Sequence, residues 1–264
     1  MYPVVVSRQV ISYKNGNTQN VSDEIATEYP LTIFLNDEEF ATLVCTPEYL
    51  EDLVVGFLAS EGVIRNCDEI KDVLVDENKG FVYVETHSPK TFSTKFYSKR
   101  YITSCCGKSR QSFYFFNDAK TAKKITDKTA FLTDQDCFRL MNEMQQDATT
   151  FQLTGGVHNA ALCDTKHIIL SRMDIGRHNA LDKIFGYCLK NSISLQGKVI
   201  AFSGRISSEV LLKVAKIGCE IVLSKSAPTE LALQMADELG ITAVGFIRND
   251  SFNVYTHHER ICAT

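Results

Sequence analysis

The chain has 264 residues, of which 44% are hydrophobic and 23% charged, with a formal net charge of −4. That length can bury a sizeable core as one large domain or two modest ones, and the composition is that of a globular protein rather than a disordered or fibrous one. The negative balance leaves no broad basic surface for a nucleic-acid backbone, and no apolar run approaches the roughly 18 residues of a membrane span, so neither nucleic acid nor membrane is expected as a partner.

The N-terminal "MYPVVVSRQV" carries only a short apolar run, Val4 to Val6, and does not resemble a secretory segment. Nine cysteines, an odd number, are scattered along the chain with no secretory-like segment ahead of them, which points to a reduced, cytoplasmic compartment. Several sit among apolar neighbours, such as Cys137 in "DCFRLM" and Cys188 in "FGYCL", where a free thiol acts as a small hydrophobe.

In chain order, "EYPLTIFLNDEEFATLVC" predicts strands over 31–35 and 40–45, joined by a turn at Asn36-Asp37-Glu38. A helix is expected next, with Thr46 as N-cap, Pro47 at its first position, and Leu50, Leu53, Val54, Phe57 and Leu58 at helical spacing up to Gly62. Strands follow over 70–75 and 81–86, with "DENKG" turning between them. Residues 88–112 show no steady period and are read as mostly loop. A helix over 133–146 presents Phe138, Leu140, Met141 and Met144 as its apolar stripe. In the C-terminal half, "KVIAFS", "EIVLSK" and "ITAVGFI" are short apolar strands separated by helices over 207–217 and 229–239. That β-α-β-α-β order predicts a parallel sheet with right-handed crossovers. The expected fold is therefore α/β, with a strand-rich N-terminal portion over 1–130 and an α/β portion over 131–264.

Ligands of open parallel sheets bind beyond the carboxyl ends of the strands, where helix N-termini present unpaired N–H groups. Three such corners are predicted. The first, "SGRISSE", offers Gly204, Arg205 and a serine cap at Ser207 or Ser208; the second, "SKSAPTE", offers Lys225, with Ser226 and Thr229 beside Pro228. The third places Arg248, Asn249, Asp250 and Ser251 after the last strand. Each corner alone could be simple strand termination and capping. Together their three cations point to a phosphate-bearing ligand, although neither a Walker loop nor a G-x-G-x-x-G fingerprint is present. Two further segments, "LTGGVHNAAL" and "DIGRHNALDK", place His158 and His178 beside Asn159 and Asn179. The histidines are candidates for ligand contact or proton transfer, and the asparagines for backbone capping.

The stretch "YITSCCGKSR" sets Cys105 and Cys106 against Gly107, Lys108 and Arg110. Adjacent cysteines are poorly placed to ligate one zinc ion, and no second cysteine pair exists, so no structural metal is expected. A thiol relay needs one exposed sulfur of lowered pKa, which neighbouring cations help to supply.

With "EYPLTIFLN", "LVVGFLASEGVI", "TGGVHNAAL", "DIGRHNALDKIFG", "SGRISSEVLLKVAKIGCEIVLSKSAPTELAL" and "VYTH" in this order, the chain resembles the formate dehydrogenase accessory sulfurtransferase family, the FdhD/NarQ type. The resemblance implies a cytidine deaminase-like fold for the C-terminal portion. It also implies passage of persulfide sulfur from a cysteine desulfurase to the molybdenum cofactor, bis-molybdopterin guanine dinucleotide, that formate dehydrogenase requires. By position, the persulfide cysteine falls on Cys106 and the cofactor-binding segment on Phe246, Ile247, Arg248, Asn249, Asp250 and Ser251. Arg205, Lys225, His158 and His178 are then expected to hold the anionic cofactor. Many members read Cys-Gly-x-Cys, whereas this chain has Ser109 as the last residue of that pattern, and serine cannot carry a persulfide. The alternative is a cofactor chaperone that docks formate dehydrogenase without moving sulfur. Zinc-deaminase chemistry is disfavoured, since a His-x-Glu with a later Pro-Cys-x-x-Cys is absent: the one His-x-Glu, His257-His258-Glu259, has no Pro-Cys-x-x-Cys after it. The resemblance also suggests a homodimer, for which the sequence carries no interface pattern.

Overall fold

The structure, a computed structural model, describes residues 2–87, 100–102, 122, 124–126 and 128–263. The chain opens with a ribbon of β1 (Val5–Lys14) and β2 (Asn17–Ala26), paired without interruption and closed by Asn15-Gly16, both at positive φ. Asn-Gly suits such a turn because both central residues must be left-handed.

The first sheet is built from β3 (Tyr29–Leu35), β4 (Glu38–Cys45), β5 (Ile70–Asp76), β6 (Phe81–Thr86) and β7 (Arg100–Ile102), in the order β5-β6-β3-β4-β7. The expected β3–β4 hairpin is present, its turn narrowed to Asn36-Asp37 at φ 48° and 66°. Strand alternation buries Leu31, Ile33, Leu43, Val82 and Val84 on one face. Arg100–Ile102 is a short strand within the 88–112 stretch that is expected to be mostly loop; the other residues of that stretch lie outside the described residues.

The following helix, α1 (Leu50–Ser60), starts later than its capping signal suggests, behind Tyr49 in a left-handed conformation. Thr46 is diverted from capping. Its N–H donates to Asp174 Oδ2 at 3.0 Å, and its hydroxyl accepts from the Ile175 N–H at 3.0 Å.

Beyond β8 (Leu132–Thr133), α2 (Asp134–Gln146) begins in a capping box between Thr133 and Asp136, and α3 (Thr149–Thr154) follows. The second sheet then assembles from β9 (His158–Cys163), β10 (Ile168–Asp174), β11 (Val199–Phe202), β12 (Ile221–Ser224), β13 (Thr242–Arg248) and β14 (Ser251–Val254). α4 (Arg177–Lys190), α5 (Ser208–Ile217) and α6 (Glu230–Leu239) connect them, and β15 (Ile261–Cys262) returns to pair with β8.

The strand order is β10-β9-β11-β12-β13-β14. β11, β12 and β13 are parallel, as the β-α-β-α-β pattern predicts, while β9, β10 and β14 join antiparallel. Short connections cause the difference: neither the turn at Asn249-Asp250 nor the loop from Cys163 to Ile168 can carry a crossover.

Alternation divides the core in two. Ala161, Cys163, Val199, Ala201, Ile221, Leu223 and Val244 pack with Leu140, Met141 and Met144 of α2. Ala160, Leu162, Ile200, Phe202, Val222 and Ala243 face α4, α5 and α6, and this cluster continues through α1 into Leu31, Ile33 and Val82 of the first sheet. It therefore spans both sides of residue 130. Among the described residues no helix is long and apolar enough to cross a membrane.

Candidate functional site

Because β11, β12 and β13 are parallel, their carboxyl ends share one edge, and the three predicted corners meet there. They are hydrogen-bonded into one surface. The Ser224 hydroxyl donates to the Gly204 carbonyl at 2.7 Å, Ile206 N–H to Ala227 O at 3.2 Å, Thr229 N–H to Ile206 O at 3.0 Å, and Phe246 N–H to Ser226 O at 3.2 Å. Ser207 caps α5, accepting from Val210 N–H, whereas Thr229 precedes α6 without a side-chain cap. Arg205 is exposed and Lys225 half-buried, and neither pairs with a carboxylate of another described residue.

The third corner projects furthest. β13 pairs with β12 only as far as Val244 but runs on to Arg248, through a register shift and a left-handed Phe246 at φ 54°. Phe246 and Arg248 are exposed, with the guanidinium carbon 5.9 Å from the ring centroid. Phe246, Arg248, Ser251, Phe252 and Asn253 line a shallow, open concavity of about 350 Å³. Asn249 and Asp250 form the exposed turn. The Ile247 side chain is 1% exposed and packed in the α2-side core, so it offers a ligand its backbone alone.

β9 runs antiparallel to β11, which brings its first residue, His158, to the same edge. The ring lies 6.5 Å from Phe202, nearly parallel, and its Nδ1 would sit 3.4 Å from a Cβ on Gly204. Burial, reinforced by Arg177 and His178, lowers the His158 imidazole pKa, favouring the neutral form. His178 Nε2 lies 3.3 Å from Glu209 Oε2. The contact with His178 holds the Glu209 carboxyl below its ordinary range, with smaller help from Arg177 and Lys213.

The "DIGRHNALDK" segment thus splits in two. Asp174 and Lys183 are wholly buried, 2.7 Å apart, and Asp174 also accepts from Thr46 N–H, Gly176 N–H and the Asn179 amide. Asn159 is equally structural, donating to Met144 O at 2.7 Å and accepting from Ser171. Arg177 and His178 begin α4 at the edge. Arg177 was not among the candidates read from sequence; its position beside His178 was the available signal.

Cys105 and Cys106 lie outside the described residues. Of the other cysteines, Cys45, Cys137, Cys163, Cys188 and Cys219 are buried, Cys67 is half-buried and Cys262 exposed. Burial pushes the Cys188 thiol up to about 11 and those of Cys137 and Cys163 to about 12, and raises Cys45 and Cys219 as well. The thiolate is the nucleophile. Iodoacetamide at pH 8 on the folded protein is therefore expected to label Cys262 at least tenfold faster than these five, read by peptide mass spectrometry. Comparable labelling of Cys188 would contradict the burial. Among the described residues no group of three or more His, Cys, Asp or Glu side chains is placed to hold a metal ion.

The model of the FdhD/NarQ family matches residues 26–262. The protein called sulfur carrier protein FdhD from Bacillus subtilis is 60% identical over 258 residues, covering 98% of this chain and 98% of that protein. One of the same name from Listeria monocytogenes is 55% identical over 258 residues, covering 97% of this chain and 99% of its own. A crystal structure described as a formate dehydrogenase accessory protein from Desulfotalea psychrophila matches with TM-score 0.80 at 25% identity, over 98% of this chain and 100% of that one.

Proposed function

The chain belongs to the FdhD/NarQ family, and we propose that it performs the family's sulfur-carrier role through Cys106, receiving sulfur from a cysteine desulfurase and passing it to a molybdenum cofactor destined for formate dehydrogenase. The observation that carries the cofactor part is the gathering of Arg205, Lys225 and Arg248 along one strand edge of a chain whose net charge is −4. A surface of that kind suits the pyrophosphates of bis-molybdopterin guanine dinucleotide. The charges of Arg205 and Lys225 meet no described carboxylate, and the exposed Phe246 ring offers a flat apolar face beside Arg248. The residues present fit the group.

The first chemical step needs only a thiolate. Cys106 sulfur attacks the terminal sulfur of the donor's persulfide; the donor's S–S bond breaks, its cysteine leaves as thiolate, and a new S–S bond forms on Cys106. Lys108 and Arg110 favour the attacking thiolate. A cofactor held at the edge would take the outer sulfur by supplying the electron pair of the new bond, while the S–S bond to Cys106 breaks and Cys106 is released as thiolate. Such a persulfide requires shelter from bulk reductants during the handover.

Ser109 supports one competing reading, a chaperone that carries the cofactor without carrying sulfur. Incubation with a cysteine desulfurase and cysteine, followed by intact-mass measurement, separates the two. Wild type is expected to gain the mass of one sulfur atom, Cys106→Ala to gain none, and Cys105→Ser to load as wild type. A wild type that stays unmodified, or an adduct undiminished in Cys106→Ala, would sink the relay.

A further inference from the structure

Between α2 and β9 no residue from Ala148 to Val157 has an ionisable side chain, in a chain of which 23% is charged. Both ends of that stretch are anchored, Ala148 at 3% exposure and Val157 at 4%, yet α3 between them has no buried residue. Thr150 and Thr154, one turn apart, are half-buried, while Phe151 and Leu153 project from the two flanks of the helix at 48% and 60% exposure. A helix this short cannot stand on propensity and ordinarily survives by packing an apolar face. Here polar bonds hold it. The Gln152 amide donates to the carbonyls of Gln145 and Gln146 at the end of α2, at 3.0 and 3.1 Å. The Thr154 hydroxyl donates to Thr150 O at 2.7 Å and accepts from Gly156 N–H at 3.1 Å. β2 lies against the helix, with the Ala26 methyl 3.3 Å from where a Cβ on Gly156 would stand. The product is an uncharged ridge, fixed in place, that turns its two large apolar side chains outward. Depletion of charge around an exposed aromatic anchor is the composition of an interface centre.

The place of the ridge in the fold indicates what covers it. His158 opens β9 at the carboxyl edge, four residues beyond Thr154, so by chain length the ridge ends within roughly 14 Å of that edge. Asn159, bonded to Met144 O, ties the edge to the same end of α2 that holds Gln152. A carried cofactor leaves the edge by entering another protein, and that protein must close over the edge and its borders. A second copy of the chain is a poorer occupant, because the ridge is convex. The concavity lined by Phe246, Arg248, Ser251, Phe252 and Asn253 lies three strand positions away from β9. Ridge-into-concavity contact between copies would therefore run head to tail instead of closing as a pair.

We propose that α3 is the docking ridge for the protein that receives the cofactor, and that this acceptor presents an apolar groove beside its empty cofactor cavity. Phe151 and Leu153 fill the groove from the two flanks of the ridge, as an amphipathic helix fills a hydrophobic cleft. The assignment rests on the carrier function proposed above, with the cofactor at the neighbouring edge, and deepens it by naming the surface through which the cargo leaves. Because the ridge is preformed by its bonds to α2, docking orders little new structure.

Biolayer interferometry of the full chain against cofactor-free formate dehydrogenase tests it, with sulfur loading by a cysteine desulfurase followed in parallel by intact mass. Phe151→Glu and Leu153→Glu are each expected to weaken binding about tenfold or more while loading sulfur as wild type does. Leu74→Glu, at a side chain 60% exposed on the first sheet, is expected to bind within about twofold of wild type. Should a glutamate variant fail to fold by circular dichroism, Phe151→Ser and Leu153→Ser carry the test, with a loss of about fivefold or more expected. A wild type that does not bind the apoprotein, ridge variants that bind as wild type does, or a Leu74→Glu that loses as much as they do would overturn the ridge. So would ridge variants that convert a dimer to monomers in sedimentation, since the occupant would then be a second copy. Ridge-dependent docking by a protein that takes up no sulfur would keep the ridge and discard the relay; normal loading without docking would do the reverse.

Discussion

Lys183→Met is expected to lower the free energy of unfolding by about 3–5 kcal/mol, because it removes one partner of a fully buried ion pair and strands the other. Asp174 and Lys183 are both 0% exposed, with Lys183 Nζ 2.7 Å from Asp174 Oδ2 and donating also to the carbonyls of Thr46 and Met173 at 3.2 Å. Methionine fills most of the space but offers none of the three contacts. Asp174 would keep its bonds from Thr46, Gly176 and Asn179, which limits the loss to the range given rather than beyond it. A domain's whole stability is about 5–15 kcal/mol, so a large share of it rides on one side chain. Urea unfolding should show a lower midpoint at unchanged slope. Asp174→Asn combined with Lys183→Met should recover part of the loss, since neither charge is then stranded. A single-mutant cost below about 1 kcal/mol would show that the pair contributes little.

This pair also explains where sequence reading succeeded and where it went astray. Thr46-Pro47 looks like a helix start because a hydroxyl residue before proline commonly is one. Its partner, however, is Asp174, 128 positions away. Local pattern contains no trace of such a contact, so α1 was placed to begin at Pro47 instead of Leu50. The β3–β4 hairpin, β6, α2 and the β11-to-β13 unit were legible because each is specified within a few residues, by alternation, by a cap or by an apolar run between turn residues. The ribbon of β1 and β2 was not. Its strands are mostly exposed, with Ile11 and Tyr13 at 62% and 78%, so no half-buried alternation marks them. At the candidate site, strand ends and cations were readable because parallel topology places them on one edge. That Ile247 faces inward while Arg248 faces outward depends on the register shift after Gly245, which no periodicity announces.

Either Gly56→Ala or Gly186→Ala is expected to cost about 3 kcal/mol or more, although alanine is the better helix former. A Cβ on Gly56 would stand 1.8 Å from the Asp182 carbonyl oxygen, and one on Gly186 would stand 1.9 Å from that of Asp52. Both obstacles are backbone, so no rotamer change relieves them, and α1 must move away from α4 by roughly 1.5 Å to restore ordinary contact. Overpacking usually costs about 1–3 kcal/mol, and moving a helix from its partner belongs at or above the top of that range. The propensity gain, about 1 kcal/mol, is too small to offset it. The displacement would also stretch contacts that cross the same helix pair: Ser60 to Asp182 at 2.6 Å, and Lys190 to Asp52 at 3.0 Å. Once the first methyl has parted the helices, the second meets less resistance, so the double variant should cost clearly less than the two singles together. Urea unfolding of the four proteins in a double-mutant cycle measures this. Stabilisation of either single variant by the propensity difference alone would show that the helices do not meet through these glycines.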